Sequence, residues 1–367
     1  MYCKFNKIIT YFGVLSLTIF FSGCNSGGNS GESSQTSVTQ QTVSQTSMSS
    51  TITEENYGQS IDVATSPDGK YLYATVQSSD ESYNISYYKI NPSNGTLSYI
   101  NNFSLSDIAM GIAITPDGKH AYTTQIALSD TDWDCYISWY NINTYDGSLA
   151  YAGKLKVEYV AGGIAISPDG AHLYIVTDAG LKWYDISSLD SSLTYRGRLD
   201  TEVSPVGIKI APDGSHAYSI TNKATQPYDL YGYPVSYISW YNVNPSTGDL
   251  TYAGMVQLGN SKFYPSSGGI AISPDNTHVY IDGMAIYMDF WTHIWKGKLY
   301  VLDYSINPTD GSLNNDSAAE LNTSSWELSM GLFGLTTSPD GKYLYAVSYL
   351  YAESAPQTNS INMLPLK

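Results

Sequence analysis

The sequence predicts an all-β chain folded as a six-bladed β-propeller of four-stranded antiparallel blades. Three observations carry this. A Ser/Thr/Ala-Pro-Asp-Gly/Asn core occurs six times, starting at Ser66, Thr115, Ser167, Ala211, Ser273 and Ser338. Its prolines are 49, 52, 44, 62 and 65 residues apart, and a repeat near that length built from short strands is a propeller pattern. Around each core lie short runs of alternating β-branched and aromatic residues, the composition of half-buried strands. Seven blades is the alternative, although a seventh core is not visible.

Each repeat divides into four strand-like pieces. The first is the Gly-Ile-Ala-Ile run before the turn, as in Gly163-Ile164-Ala165-Ile166. The second follows the turn, as in Tyr71-Leu72-Tyr73-Ala74. The third covers residues 85–90, 137–142, 181–186, 238–243 and 301–306, and the fourth 96–100, 148–155, 192–199, 249–256 and 312–321. Pro-Asp-Gly joins the first piece to the second. A tight turn such as Asn244-Pro245-Ser246-Thr247-Gly248 joins the third to the fourth. The sixth repeat offers residues 334–337, 343–347 and 360–366 and then the chain ends. Its fourth strand is expected from residues 49–54, which would pair the two ends and remove an open edge.

The links between second and third pieces vary most: 77–84, 125–136, 222–237, 283–298 and 348–359. Two links between repeats, 257–268 and 322–332, are also long. In a four-stranded meander both kinds emerge on one face, so function is expected there.

The N-terminus reads as an address. Lys4 and Lys7 precede an apolar run over residues 8–21, too short to cross a bilayer comfortably. Phe21-Ser22-Gly23-Cys24 follows and resembles the lipobox of bacterial lipoproteins. The resemblance implies removal of residues 1–23 and acylation of Cys24. Ordinary secretion or a retained anchor are the alternatives. With Asn25, not Asp, after the cysteine, the expected place is the bacterial cell envelope at the outer membrane, on its periplasmic or surface side. Residues 24–56 are mostly Ser, Thr, Gln, Gly and Asn. They are expected to form a disordered tether spanning about 30 Å, ahead of a propeller domain over residues 57–367.

Net charge is −16, and Arg196 and Arg198 are the only arginines. That balance excludes nucleic acid as a natural partner, since phosphates need cations. It also disfavours a heavily phosphorylated substrate. With Cys3 and Cys24 processed, Cys135 has no partner for a disulfide.

The run Gly-Ile-Ala-Ile-Ser-Pro-Asp-Gly-x-x-Leu-Tyr, with Ile238-Ser239-Trp240-Tyr241-Asn242-Val243-Asn244-Pro245-Ser246-Thr247-Gly248-Asp249-Leu250-Thr251-Tyr252, resembles the lactonase-type β-propellers and the YVTN-repeat proteins over residues 57–367. The resemblance implies the architecture. For activity it implies either a sugar-lactone hydrolase or a non-enzymatic surface or periplasmic protein. The hydrolases carry Arg, His and acidic groups in the central funnel. This chain departs from that pattern, because neither arginine lies near a first piece.

Asp62 and Lys209 are the only charged residues in the first pieces, which line the channel. Asp62 stands where other repeats have Gly111, Gly163, Gly207, Gly269 and Gly334. Lys209 stands where others have Ala113, Ala165 and Ala271. An acid and an amine in a dry funnel are candidates for proton transfer. The fifth-repeat insertion carries Tyr287, Trp291, His293 and Trp295, and the fourth carries Tyr231 and Tyr233. Such aromatic groups suit ligand recognition or pack the loops down. His120, His172, His216 and His278 share one repeat position on separate blades and read as structural rather than metal-binding. Asp130, Asp132 and Asp134 lack the Gly and Glu of a calcium loop, since Cys135 and Asn141 hold those places. No metal or cofactor is expected.

The leading expectation is a membrane-tethered, monomeric propeller that binds a protein or glycan partner through its long-loop face. The alternative is a lactonase-like hydrolase of a sugar or acyl lactone. No nucleophile elbow or phosphate loop appears, so whether the chain is an enzyme stays open.

Overall fold

In the computed structural model the chain divides into two units, Met1–Ser44 and Gln45–Lys367. The structure describes residues 50–54, 59–78, 82–128, 133–158, 161–201, 204–223, 235–258, 268–288, 295–320, 329–352 and 355–366, all in the second unit. The proposed signal, Cys24 and most of the tether lie outside them.

Six four-stranded antiparallel sheets form six blades. Blade 1 is β2 (Gln59–Thr65), β3 (Tyr71–Gln77), β4 (Tyr83–Ile90) and β5 (Leu97–Leu105). Blade 2 is β6 (Ile108–Ile114), β7 (His120–Leu128), β8 (Trp133–Ile142) and β9 (Leu149–Val157). Blade 3 is β10 (Ala161–Ile166), β11 (His172–Thr177), β12 (Gly180–Ile186) and β13 (Leu193–Asp200). Blade 4 is β14 (Ser204–Ile210), β15 (His216–Lys223), β16 (Val235–Val243) and β17 (Leu250–Gln257). Blade 5 is β18 (Ile270–Ile272), β19 (His278–Met288), β20 (Trp295–Ile306) and β21 (Leu313–Glu320). Blade 6 is β22 (Ser329–Thr337), β23 (Tyr343–Ala352), β24 (Ala355–Pro365) and, from the other end of the chain, β1 (Ser50–Glu54). β1 pairs with β24 from Ser50↔Met363 to Glu54↔Asn359, so the first strand of the second unit covers the last strand's edge.

The repeated turn holds itself. In blade 1 the Ser66 hydroxyl accepts from the Tyr71 N–H (2.9 Å) and donates to Asp68 (2.7 Å). Asp68 accepts the Lys70 N–H (3.1 Å). Gly69, at φ 69°, closes the turn onto the Ser66 carbonyl. That left-handed backbone favours Gly, and Asn276 takes it in blade 5 at φ 60°. Neighbouring turns also stack. A Cβ on Gly118 would lie 3.6 Å from Pro67, and one on Gly214 3.7 Å from Pro168. The six cores therefore rim one mouth of the channel. Ser338 hydrogen-bonding to Asp340 holds that carboxyl down at about 2.

Apolar residues fill the seams between blades. Tyr218, Ile220 and Ile238 of blade 4 pack with Ile270, Val279, Ile281 and Tyr304 of blade 5, all buried. Five of the six seams are also latched. Tyr73 donates its phenol to the Gly147 carbonyl of the next blade's outer turn (2.9 Å), and Tyr122 donates to Ser191 (2.7 Å). Tyr174 donates to Gly248, Tyr218 to Gly311 and Tyr345 to Gly95, each at 2.9 Å. Blade 5 differs for a topological reason: blade 6 takes its fourth strand from β1, so no outer turn stands beside Tyr280.

The third and fourth strands of blades 1 to 5 share one irregularity. The register slips by a residue between Trp139 and Tyr140, Trp183 and Tyr184, Trp240 and Tyr241, and equivalents. Such bulges add twist. At three of them the indole covers a glycine: a Cβ on Gly153 would lie 2.5 Å from the Trp139 ring.

The expected long loops are partly strand. β7 and β8 pair out to Leu128↔Trp133, β19 and β20 to Met288↔Trp295, and β23 and β24 to Ala352↔Ala355. The sequence reading placed these residues in connections. Backbone pairing simply continues outward from the blades, because nothing in these Tyr-, Ile- and Ala-containing runs interrupts the ladder.

Candidate functional site

The six inner strands are β2, β6, β10, β14, β18 and β22, and each neighbours the next around a closed ring. They meet tightly at the level of the repeated glycine. A Cβ on Gly163 would lie 2.9 Å from the Gly207 Cα, and one on Gly111 3.0 Å from the Gly162 carbonyl oxygen. No larger residue fits those two places without moving backbone.

Blade 1 breaks the rule with Asp62, and its neighbour makes room. A Cβ on Gly334 would lie 2.7 Å from both Asp62 Cα and Oδ1. The half-buried Asp62 carboxylate then bridges a seam. Oδ1 accepts the Val63 N–H (2.8 Å), and Oδ2 accepts the Ile112 N–H of blade 2 (3.0 Å). The Asp62 N–H donates to Thr75 Oγ1 (3.0 Å). Burial raises the carboxyl above its ordinary range, against the attraction of Lys209 and the two N–H donors, which pull it down. The electrostatic link to Lys209 spans the ring, since blades 1 and 4 are opposite in a ring of six. Lys209 is half-buried on β14. The fold thus sets the two charged inner-strand residues on opposite blades of one ring, with Asp62 anchored by backbone N–H groups.

One acid escaped the sequence reading. Asp282, on β19 directly behind the inner strand of blade 5, is fully buried. Its N–H donates to the Gly269 carbonyl (3.1 Å). The signal was present: blades 1 and 2 carry Thr75 and Thr124 at the matching place, and a carboxylate in a threonine position marks a departure.

The aromatic candidates are placed only in part. Tyr287 and Trp295 stand on the paired extensions of β19 and β20, Tyr287 opposite Lys296 and Trp295 opposite Met288. Trp291, His293, Tyr231 and Tyr233 lie outside the described residues, as do Asp130 and Asp132. Asp134 is on β8, ion-paired with Lys156 (2.6 Å) and accepting the Tyr136 hydroxyl (3.1 Å). Cys135 is a buried thiol on the same strand.

The repeated histidines have a packing role. A Cβ on Gly248 of blade 4 would lie 2.7 Å from the His172 ring, and one on Gly147 2.8 Å from Tyr71, which fills the same position in blade 1. The rings of Tyr71, His172, His216 and Tyr343 are platforms beneath the next blade's outer turn. His172 and His278 are further held by Asp185 (3.0 Å) and Asp303 (2.8 Å) on their own blades.

No family model and no curated protein matches the chain in sequence. Solved structures do. A candidate 6-phosphogluconolactonase from Bacteroides uniformis matches at TM-score 0.53 and 15% identity over 83% of this chain and 86% of that one. The periplasmic gluconolactonase of Pseudomonas aeruginosa matches at 0.50 and 13%, over 84% and 86%. The WD40 repeats of RRP9 match at 0.51 and 10%, over 89% and 100%. Likeness at these identities shows the propeller fold alone, and it reaches lactonase-type and WD40 propellers alike.

Proposed function

We propose that the chain takes a small uncharged sugar or acyl lactone into its central channel and hydrolyses it, with Asp62 and Lys209 as the working pair. One observation carries the reading: the inner wall holds one acid and one amine, on opposite blades, electrostatically coupled. The carboxyl lifted by burial is a better base near neutral pH than an ordinary aspartate. Each of its oxygens spends one acceptor site on a backbone N–H and keeps another for a water. In this scheme Asp62 takes a proton from that water as the hydroxide adds to the lactone carbonyl. The Lys209 ammonium stabilises the oxyanion. The ring C–O bond then breaks, and the leaving oxygen receives the proton back. Similarity to structures described as lactonases supports the substrate class. The scarcity of arginine favours an unphosphorylated one.

A second reading has its own observation. β19 and β20 pair for 11 residues beyond the blade 5 turn, whereas the inner strand β18 is three residues long. This long ladder, in the insertion whose sequence carries Tyr287, Trp291, His293 and Trp295, suits capture of a protein or glycan partner by a lipid-tethered envelope protein, with Cys24 as the anchor.

One experiment separates the readings. Purified protein is followed by base titration on a panel of sugar and acyl lactones, beside Lys209→Ala and a Trp291→Ala/Trp295→Ala double variant. Turnover that falls about 100-fold or more in Lys209→Ala and persists in the double variant supports the channel reaction. Turnover indifferent to Lys209, or absent across the panel, overturns it and leaves the hairpin reading to a partner pull-down with the double variant as control.

A further inference from the structure

Away from the channel, on the face of the outer turns, a crevice of about 420 Å³ opens between blades 4 and 5. We propose that it is a binding site for a neutral monosaccharide or the end unit of a glycan. Its volume is within the range of small-ligand sites. It is lined by His216, Trp240, Asn242, Ala253, Thr309 and Asp310.

The chemistry is that of a plate ringed by polar groups. The half-buried Trp240 ring is fixed on one side by Gly254, where a Cβ would meet Cζ2, and by the apolar seam. Trp240 also lines the crevice, offering apolar surface for the C–H face of a pyranose. Among the described residues its indole N–H has no hydrogen-bond acceptor. Asp310 uses Oδ1 for the Ser312 N–H (3.0 Å) and hydroxyl (2.7 Å), which leaves Oδ2 for a ligand hydroxyl. Those Ser312 bonds hold the Asp310 carboxyl below its ordinary range, so it stays an acceptor at neutral pH. Asn242 and Thr309 add a neutral amide and a hydroxyl. A carboxylate without arginine repels anions, and a ring bearing hydroxyls that both donate and accept satisfies this set.

The matching place at the neighbouring 3–4 seam is already occupied by the protein's own bonds. Between blades 3 and 4, the Trp183 indole N–H donates to Asp249 (3.2 Å), and His172 bonds Asp185 (3.0 Å). At the 4–5 seam Asn242 replaces that Asp, Ser312 replaces Asp249, and the His216 ring turns to the Ser215 hydroxyl (2.6 Å). Between blades 2 and 3 the equivalent Trp139 is buried. The open indole and the spare carboxylate oxygen coincide at the 4–5 seam.

The test uses the full chain with methyl glycosides of glucose, galactose, mannose and N-acetylglucosamine, read by saturation-transfer NMR and calorimetric titration, with choline as a competing probe. An isolated sugar unit on one aromatic plate is expected to bind with Kd on the order of 1 mM. Asp310→Asn, which keeps the turn-forming Oδ1, should weaken it about tenfold. Trp240→Ala should abolish it, Trp240→Phe should weaken it in between, and Trp183→Phe should leave it unchanged. Binding by none of the four sugars, or binding indifferent to Asp310→Asn and Trp240→Phe, overturns the proposal. So does binding of choline in place of the sugars, because that would make the site one for a cation. Lactone turnover is a separate readout, and the Asp310→Asn variant should retain it.

Discussion

At the scale of single residues, Asp62 is where chemistry and architecture meet. Its carboxylate fills the ring position occupied elsewhere by glycine and ties blade 1 to blade 2 through Ile112. Burial raises its pKa above the ordinary aspartate value, which fixes the sign of its pH effect. A group with a raised folded pKa binds its proton more tightly when folded, so its ionisation opposes stability above that pKa. As pH falls through the raised value towards the ordinary 3.8, the unaltered protein should gain stability relative to Asp62→Asn, and the gap should be flat below. Turn aspartates such as Asp340, held low by Ser338, act oppositely and lose stability as pH falls below about 4 towards 2. They are common to both proteins and cancel in the difference. Urea unfolding of the pair between pH 7 and pH 3 measures it, and a difference independent of pH would show that Asp62 does not titrate on folding.

At the scale of elements, the unit that joins blades is a strand start and its neighbour's turn. Tyr174 donates to Gly248, with His172 lying under the same turn. Tyr174→Phe leaves the Gly248 carbonyl without its buried donor and should destabilise by about 1–2 kcal/mol. Tyr280→Phe removes a hydroxyl at the one seam with no outer turn beside it and should cost less than about 0.5 kcal/mol. Chemical denaturation of both variants checks the contrast, and equal losses would show that the latch is not what the phenol contributes. Much of this was legible. The histidine position read as structural and the two kinds of turn as turns. The acceptor of each phenol was not, because a carbonyl 69 to 250 residues away leaves no local pattern.

At the scale of the molecule, closure is the decisive feature. β1 covers β24 with five residue pairs, and the ring stays intact only while that edge is filled. A chain beginning at residue 55 loses β1 and exposes a β24 edge carrying Ile361 and Met363, both buried in the complete ring. It should melt several degrees lower and associate in solution, and added peptide spanning residues 45–56 should restore the melting temperature in proportion to its concentration. An unchanged melting temperature would mean that β1 contributes nothing to closure.

The sequence by itself determined the all-β class, the count of six blades, the chain position of both turn types and the two charged residues of the inner strands. It could do so because propeller structure is local: each blade is a meander of adjacent strands whose period, turns and alternation lie within about 50 residues. Only the tertiary structure decided what those residues meet. It brought Asp62 to the Ile112 N–H, set Lys209 on the opposite blade, buried Asp282 behind the inner strand and left Trp240 and Asp310 open at one seam among several alike. Those relations depend on how far blades rotate about a common axis and how closely backbones approach, and neither distance is written in the spacing of residues along a chain.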